Sequence, residues 1–262
     1  MSNKYRLINL PTVVAAGRVN LKVIFALGVS LLLSACVSPE GLEDIYDPYE
    51  ARNRKVHEFN KALDESVLRP VSGVYSDIVP NTVLIGISNL SNFLELPASV
   101  VNHLLQLNIK DAGNNSARFV INGTVGILGL YDAASEVGLY QESADFGETL
   151  HTWGIGEGAY VELPIVGGST ERDTVGLVVD AMFNPTTMFL PEYWKLTGTG
   201  VKSLAMLGDR GRFGTTVDSV LYDSADSYSQ SRLFFLQSRR HELGLELADE
   251  DYFDPYEDIY GE

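Results

Sequence analysis

Hydrophobic residues form one uninterrupted run near the start of this 262-residue chain and are spaced in helical patterns after it. The run extends from Val23 to Leu33 and is preceded by four basic residues, at Lys4, Arg6, Arg18 and Lys22. A basic segment followed by a short apolar run is typical of a secretory signal, and the run is too short to span a bilayer as a permanent helix. We therefore predict that residues 1–35 are a signal peptide and not part of the fold.

Cys36 follows the small residues Ser34 and Ala35 directly after this run. The order Leu33-Ser34-Ala35-Cys36 is the lipobox pattern of bacterial lipoproteins, in which the cysteine is acylated once the signal has been removed. Each buried CH₂ group contributes about 0.8 kcal/mol, so several acyl chains anchor a protein durably. We expect lipidation of Cys36, by palmitate and related chains, with residues 36–46 as a tether. A soluble secreted protein with an incidental cysteine is the alternative.

A helix is predicted to begin at Asp47-Pro48-Tyr49-Glu50, because aspartate favours the N-cap, proline the first helical position and an acidic residue the first turn. Apolar residues then recur at helical spacing, at Val56, Phe59, Leu63 and Val67. The next proline, at position 70, is expected to end this helix or to start another.

Residues 71–122 are expected to form several short helices, separated by Pro80, Pro97 and Asn-rich turns. Within them, the segment 97–106 carries a broad apolar stripe that includes Val100 and Leu104. After Cys36 there is no apolar run of 18 residues, so a transmembrane helix is not expected.

The segment 123–138 is apolar, yet Gly123, Gly126 and Gly129 recur at every third position. Each glycine costs a helix about 1 kcal/mol relative to alanine. If the segment is helical, this spacing produces a strip without side chains along one edge. Such a strip serves either close helix–helix packing or a surface along which a ligand slides, and the residues leave both interpretations open.

The second half of the chain is expected to alternate between glycine-rich connections and helices. Residues 146–168 are predicted to be loop and short extended structure, followed by a helix from Thr170 to about Phe183 that Asn184-Pro185 ends. Two longer helices are predicted, at roughly 198–223 and 226–247. The fold class is mainly α, in one domain spanning 47–247, followed by an acidic, aromatic tail at 248–262 that we expect to be disordered.

Charge excludes several classes of partner. The segment 1–35 holds four of the 19 Lys and Arg residues and none of the 35 Asp and Glu residues, so the remainder carries a net charge near −20. Such a chain is not expected to bind nucleic acid by phosphate neutralisation, or anionic lipid through a generally basic surface. Membrane contact must then come from the anchor and from apolar surface.

Metal-site motifs are incomplete. Two His-Glu pairs, at 57–58 and 241–242, begin the H-E-x-x-H pattern of zinc proteases, but Lys61 and Leu245 stand where the second histidine should be. His103 and His151 are isolated in sequence. We expect no metal site and no cofactor.

Catalytic motifs are equally weak. The nearest approach to a Gly-x-Ser-x-Gly elbow, at 167–171, lacks the last glycine. Asp145, Glu148, Asp173 and Asp180 could supply a pair of carboxylates, but an acidic chain offers many such pairs by chance. We therefore assign no catalytic residue, and lipid hydrolysis stays a minor alternative that a phospholipase assay would test.

A series of short motifs, each weak by itself, follows one order along residues 47–240. The most specific of them is the block Arg118–Ala134, with the sequence RFVINGTVGILGLYDAA. The others are Asp47–Arg54, Phe59–Asp64, Arg69-Pro70, Asn89-Leu90, Glu95–Pro97, Asn102–Gln106, Asp145–Leu150, Trp153-Gly154, Tyr160–Pro164 and Arg172-Asp173.

In this order the motifs resemble the signature of the MlaA/VacJ family of outer-membrane lipoproteins. Leu90 and Gly123 depart from it, since the family often has Phe and Ser or Thr there. The resemblance implies a ring of helices embedded in the inner leaflet of the outer membrane, around an amphipathic channel. It also implies removal of mislocalised phospholipid from the outer leaflet, transfer to a periplasmic carrier of the MlaC type, and association with trimeric porins of the OmpC/OmpF type. Val37, which is not aspartate, fits delivery to the outer membrane, on its periplasmic side.

The glycine-rich block is the candidate lipid path within this family picture. We expect it to line or gate the channel, so that a bulky residue at Gly126 or Gly129 impairs lipid removal without lowering protein abundance. The candidate path residues are Gly123, Gly126, Leu128, Gly129, Leu130, Tyr131 and Asp132.

Charged and aromatic residues near that block have structural alternatives. Arg118 with Asp132, and Arg172 with Asp173, are favoured as buried ion pairs over headgroup contacts. Trp153 is equally compatible with an interfacial belt and with core packing, as is Trp194. The competing function is a structural lipoprotein that scaffolds porins or serves surface or spreading functions.

Overall fold

The computed structural model describes residues 45–183 and 192–245, except for the side chains of 191–196. The predicted signal peptide, the lipidated Cys36 and the acidic tail lie outside the described residues. The Asn184-Pro185 break lies outside them as well, and nothing is described of the Trp194 side chain.

Helices dominate the described residues, as the sequence predicts, and one short β-hairpin interrupts them. Two π-helical segments extend helices: Asp64–Leu68 follows the first helix, and Ser219–Asp223 follows the ninth. The elements are α1 (Glu50–Leu63), α2 (Arg69–Ile78), α3 (Asn81–Leu105), α4 (Ile109–Thr124), α5 (Ala133–Glu136), α6 (Phe146–Thr152), β1 (Tyr160–Leu163), β2 (Gly167–Thr170), α7 (Glu171–Phe183), α8 (Glu192–Arg212), α9 (Gly214–Asp218) and α10 (Ser227–Glu242).

The first helix begins close to the predicted position, but Asp47 is not its N-cap. Tyr49 occupies the N-cap without a side-chain cap. The Asp47 carboxylate instead accepts hydrogen bonds from Asn53, Tyr228 and Arg232. Local propensity predicts that the Asp47 side chain caps the helix, but it forms hydrogen bonds to other parts of the fold instead.

Residues 81–105 form one helix, α3, where the sequence predicts a break at Pro97. Proline removes one helical hydrogen bond, and packing of α3 against α4 and α8 compensates for that loss. By length and composition α3 could cross a membrane, and only 17% of its most apolar window is buried. The sequence expectation overlooked it because serine, asparagine and proline interrupt its apolar residues.

The glycine-rich block is not helical throughout, so the predicted strip along a helix edge does not exist. Helix α4 ends at Thr124, and residues 125–130 form turns. Ile127, Leu128 and Gly129 have φ values of 54°, 56° and 87°. Successive residues in the left-handed region cannot continue a right-handed helix.

Residues 146–168 contain a helix that the sequence analysis missed. Asp145 caps α6, its Oδ1 accepting a hydrogen bond from the Glu148 backbone N–H at 2.7 Å. The Asp-x-x-Glu spacing of a capping box was the available signal. The extended part forms an antiparallel hairpin in which Tyr160 pairs with Thr170.

The helix predicted from Thr170 is confirmed as α7, but both C-terminal helices end earlier than predicted. The predicted helix at 198–223 is divided at Phe213, after which α9 and a π-helical segment follow. The last helix ends at Glu242 because Gly244 adopts a φ of 68°, the left-handed conformation that commonly terminates helices.

Packing joins these elements in pairs. Helix α8 packs against α2 and α3, α3 packs against α4, and α6 packs against α7. The hairpin lies between α1 and α10, where Tyr160, Tyr228 and Leu236 form a small buried cluster.

Candidate functional site

Polar side chains fill much of the interior, and hydrophobic side chains cover much of the surface. Among the described residues, 17 buried side chains are polar or charged and ten are hydrophobic, and five of those ten are alanines. The same residues expose 36 large hydrophobic side chains. Buried polar groups and extensive exposed apolar surface are the informative departures from a soluble protein. This distribution indicates a fold whose exterior contacts an apolar environment.

Helix α1 illustrates the reversal. Asn53 and His57 are buried, whereas Phe59, on the apolar face that the sequence identifies, is 52% exposed. Asn53 donates a hydrogen bond to the Tyr160 carbonyl oxygen at 3.0 Å and accepts one from the Glu162 N–H at 3.1 Å. The buried face of α1 is therefore the one that can satisfy the hairpin backbone.

The buried polar face of α3 and α4 holds an extended segment, residues 139–145. Ser99 donates to the Glu142 carbonyl oxygen and accepts from the Ala144 N–H, each at 3.0 Å. Asn115, which is completely buried, also bonds the Glu142 backbone, and His103 approaches the same carbonyl at 3.0 Å. Backbone groups outside a helix or sheet need such partners. The buried polar side chains thus replace a sheet for this segment.

A second set of hydrogen bonds, together with an ion pair, fixes the residues that follow the glycine-rich turn. Arg118 is 3% exposed and forms an ion pair with Asp132, in which its Nη2 lies 3.0 Å from each carboxylate oxygen. Asp132 also accepts from Asn122 and Ser135. Burial alone would raise the pKa of Asp132, but these donors more than offset it and hold the pKa below its usual value. The predicted ion pair is confirmed as a structural contact.

The extended segment lines a cleft of about 800 Å³ that holds many charged side chains. Helices α3, α6, α7, α8 and α10 and strand β2 supply the rest of its lining. Seven carboxylate side chains and two basic ones line it. The carboxylates include all four residues from which the sequence analysis would draw a catalytic pair. They are Glu95, Glu142, Asp145, Glu148, Asp173, Asp180 and Glu242, and the basic residues are Lys202 and Arg239.

Ion pairs account for part of this charge. Arg239 contacts Asp145 at 2.8 Å and Asp173 at 3.2 Å, and Arg172 contacts Asp173 at 3.1 Å, as predicted. Burial would raise the pKa of Asp173, and the two guanidinium groups lower it. Glu148 lacks such a partner, and burial together with Asp145 raises its pKa. Burial also raises the pKa of Asp180.

The predicted path residues do not line this cleft. Ile127 and Leu128, in the turn, are 68% and 70% exposed, and Leu130 and Tyr131 are about half exposed. Their backbone leads through Asp132 and α5 into the extended segment at the cleft margin. The block therefore presents exposed apolar side chains and is joined through α5 to the segment that lines the cleft, and its role as a lipid path stays a prediction.

The glycines of the block differ in what surrounds them. A Cβ at Gly129 would lie 2.4 Å from the Phe93 side chain, and one at Gly126 would lie 2.2 Å from the Tyr131 carbonyl oxygen. Bulky residues there would disturb the fold, so we now predict lower protein abundance for substitutions at both positions. A Cβ at Gly123 would make an ordinary 3.5 Å contact.

Trp153 is 53% exposed, and its indole N–H donates to the Leu105 carbonyl oxygen at 3.2 Å. This position matches an interfacial residue better than a core residue. No cluster of three or more His, Cys, Asp and Glu residues with metal-binding geometry occurs in the described part of the chain.

The sequence analysis missed the polar stripes of α3 and α4. Asn115, Arg118 and Asn122 recur at helical spacing, as do Ser99 and Asn102. A search for periodic polar residues, in addition to periodic apolar ones, would have found this face.

Comparison with known proteins agrees with these features. The model of the MlaA lipoprotein family matches residues 45–242. The "Intermembrane phospholipid transport system lipoprotein MlaA" of Escherichia coli (strain K12) is 33% identical over 225 residues, covering 83% of this chain and 86% of the relative. An uncharacterized protein of Rickettsia bellii is 34% identical over 200 residues, covering 76% of this chain and 77% of the relative.

A solved structure described as "Structural basis for maintenance of bacterial outer membrane lipid asymmetry" shares the fold. It matches with a TM-score of 0.64 and 32% identity, covering 75% of this chain and 98% of that chain. The family match covers most of the chain and includes both the buried polar face and the cleft. The chain therefore belongs to the MlaA lipoprotein family.

Proposed function

We propose that this protein is an outer-membrane lipoprotein that removes mislocalised phospholipid from the outer leaflet and so maintains lipid asymmetry. The proposal includes an anchor at Cys36 on the periplasmic side and transfer of the lipid to a periplasmic carrier of the MlaC type. It also includes association with trimeric porins of the OmpC/OmpF type. The names of the bacterial relatives support the transport role.

The observation that carries the proposal is the reversed placement of polar and apolar side chains. A phospholipid has a polar headgroup and two apolar chains, and moving the headgroup through hydrocarbon is costly. A fold with an apolar exterior and a polar cleft lowers that cost without covalent chemistry. The headgroup passes through the wet cleft while the acyl chains stay in lipid.

The helical architecture suits this position. Within hydrocarbon, backbone N–H and C=O groups must be satisfied inside the protein. Most described residues satisfy this condition within helices, and the extended segment 139–145 does so through Ser99, Asn102 and Asn115. We propose that these elements form a ring in the inner leaflet, with the cleft as its polar passage.

The turn at 125–131 would act at the entrance of this passage. The apolar side chains of Ile127 and Leu128 are exposed and would insert among acyl chains. Because these two residues lie in the left-handed region, which is unfavourable for a β-branched residue above all, the turn holds them outward at an energetic cost. Strain of this kind concentrates at functional sites.

Phospholipid in the outer leaflet, measured in cells with and without this chain, tests the function. We expect loss of the chain to raise outer-leaflet phospholipid and detergent sensitivity, with porin trimers intact. A scaffolding protein would instead alter porin assembly while leaflet asymmetry stayed normal, and that outcome would overturn the proposal. Hydrolysed lipid produced by the purified full-length protein would indicate a phospholipase.

A further inference from the structure

The charge of the cleft bears on which phospholipid enters it. Both basic residues of its lining are already ion-paired: Lys202 contacts Glu95 at 2.9 Å, and Arg239 contacts Asp145 and Asp173. Among the described residues, Glu142, Glu148 and Asp180 have no such basic partner. The charge left uncompensated in the cleft is therefore negative.

The surroundings of Glu148 and Asp180 strengthen their effect, because both are partly buried, whereas Glu142 is exposed at the cleft margin. Glu148 is half-buried beside Asp145, and Asp180 is half-buried beneath the Phe146 N–H, which donates to its Oδ2 at 2.9 Å. Interactions between charges are stronger in a partly enclosed cavity than in open water. A carboxylate that lacks a cationic partner in such a cavity is stabilised by any ligand that brings a positive charge.

Phospholipid headgroups differ in this respect. The headgroup of phosphatidylethanolamine carries an ammonium group beside its phosphate, whereas that of phosphatidylglycerol carries only the negative charge. The cleft, at about 800 Å³, has the size of a small-molecule site and admits either headgroup, so volume does not discriminate between them.

On the basis of the proposed function, we infer that the cleft selects amine-bearing zwitterionic phospholipid over anionic phospholipid, with Glu142 and Glu148 as the residues that determine the preference. An ammonium group donates three hydrogen bonds and fits between carboxylates. The same carboxylates repel an anionic headgroup. This repulsion adds to the discrimination between the two classes of lipid.

Glu142 and Glu148 are suited to a clean test because their side chains make no hydrogen bond or ion pair recorded among the described residues. Replacing them with glutamine keeps the shape and removes the charge. Asp180 is unsuitable, because its carboxylate also holds the Phe146 N–H and Asn102. Glu58, exposed on α1 and remote from the cleft lining, is the matched control.

The experiment uses the full-length protein in vesicles that contain equal amounts of phosphatidylethanolamine and phosphatidylglycerol, each in turn with a photoactivatable group on its glycerol backbone, next to the headgroup that enters the cleft. Crosslinked lipid is located by peptide mapping, once in EDTA and once with Mg²⁺. We expect the ratio of ethanolamine to glycerol lipid on cleft peptides to exceed that of the bulk vesicle. It should fall about fivefold in each of Glu142→Gln and Glu148→Gln, and not in Glu58→Gln.

The outcomes separate the two proposals. Equal labelling of cleft peptides by both lipids would leave the transport function standing and overturn the preference. Preferred labelling by phosphatidylglycerol with Mg²⁺ would also overturn it, since the cleft would then hold a divalent cation that bridges to phosphate. No labelling of cleft peptides by either lipid would contradict the proposed function itself.

Discussion

The turn at 125–131 and the ion-paired cluster that follows it are adjacent in sequence and opposite in character. The turn exposes Ile127 and Leu128, although its backbone is hydrogen-bonded within the chain and Gly129 lies close to Phe93, whereas the cluster buries Arg118 and fixes Asp132. Hydrogen bonds within the chain position both regions. They do not explain why the turn exposes apolar side chains, and we propose that these side chains face lipid. The contrast separates residues that build the fold from residues proposed to contact the membrane.

The largest effect is expected from breaking the cluster. Arg118→Leu removes the ion pair and leaves Asp132 without its partner, which should lower the free energy of unfolding by about 3–5 kcal/mol. Denaturant unfolding of the purified protein in detergent measures this. Lys202→Leu is the control, since its pair with Glu95 is about half exposed and is worth below about 1 kcal/mol. Equal losses in the two variants would contradict a structural role for the cluster.

A smaller effect, of a different kind, is expected in the turn. Leu128→Glu should leave the free energy of unfolding almost unchanged, because Leu128 is 70% exposed. It should weaken membrane association by about 2 kcal/mol or more, the contribution of a buried leucine. Flotation with vesicles, using the Cys36→Ala form to remove the acyl anchor, measures the association.

Thr215→Glu supplies the matched control for that measurement, because it adds the same charge at an exposed polar position on α9. If both variants float as the parent does, the turn does not contact lipid.

Glycine substitutions sharpen the comparison inside the block. Gly129→Ala should destabilise the fold by about 1–3 kcal/mol, because position 129 has a φ of 87° and a Cβ there would collide with Phe93. Gly123→Ala lies within α4, where alanine favours the helix by about 1 kcal/mol, and should be neutral or stabilising. Thermal unfolding of the two variants checks this, and a reversed order would contradict the turn geometry.

The smallest effect is expected from pH. Raised pKa values at Glu148 and Asp180 mean that their charged forms oppose folding, and that this cost disappears as the pH falls towards their unfolded values near 4. Lowered pKa values at Asp64, Asp132 and Asp173 mean that stability is lost as the pH falls below about 4.

The melting temperature should therefore rise by about 2 °C from pH 7.5 to pH 5 and then decline. Glu148→Gln should reduce the rise. A melting temperature that falls steadily from pH 7.5 would show that the cleft carboxylates do not oppose folding.

The sequence predicted helical structure well because local signals control it. The start of α7 follows its capping residues. The end of α10 was predicted too late, at 247, although Gly244 was the local signal for it. The continuity of α3 through Pro97 was not predictable, since it depends on packing against α4 and α8. The turn at 125–131 was also missed, because left-handed Ile127 and Leu128 contradict the preferences of these residue types.

The candidate site was only partly visible in the sequence. The ion pairs of Arg118 and Arg172 were identified, since opposite charges stood within conspicuous motifs. The cleft was not, because its carboxylates come from five separate elements that only the tertiary fold brings together. The buried polar faces were overlooked because periodicity was sought in apolar residues.

The most direct test of the account is the environment of single spin labels in the membrane-bound protein. With Cys36 acylated as proposed, an introduced cysteine is the one free thiol, since the sequence has no other cysteine. A label at position 128 should be relaxed by lipid-soluble oxygen, and a label at position 142 by a water-soluble nickel chelate. Water accessibility at both positions, or lipid accessibility at both, would contradict an apolar exterior surrounding a wet cleft.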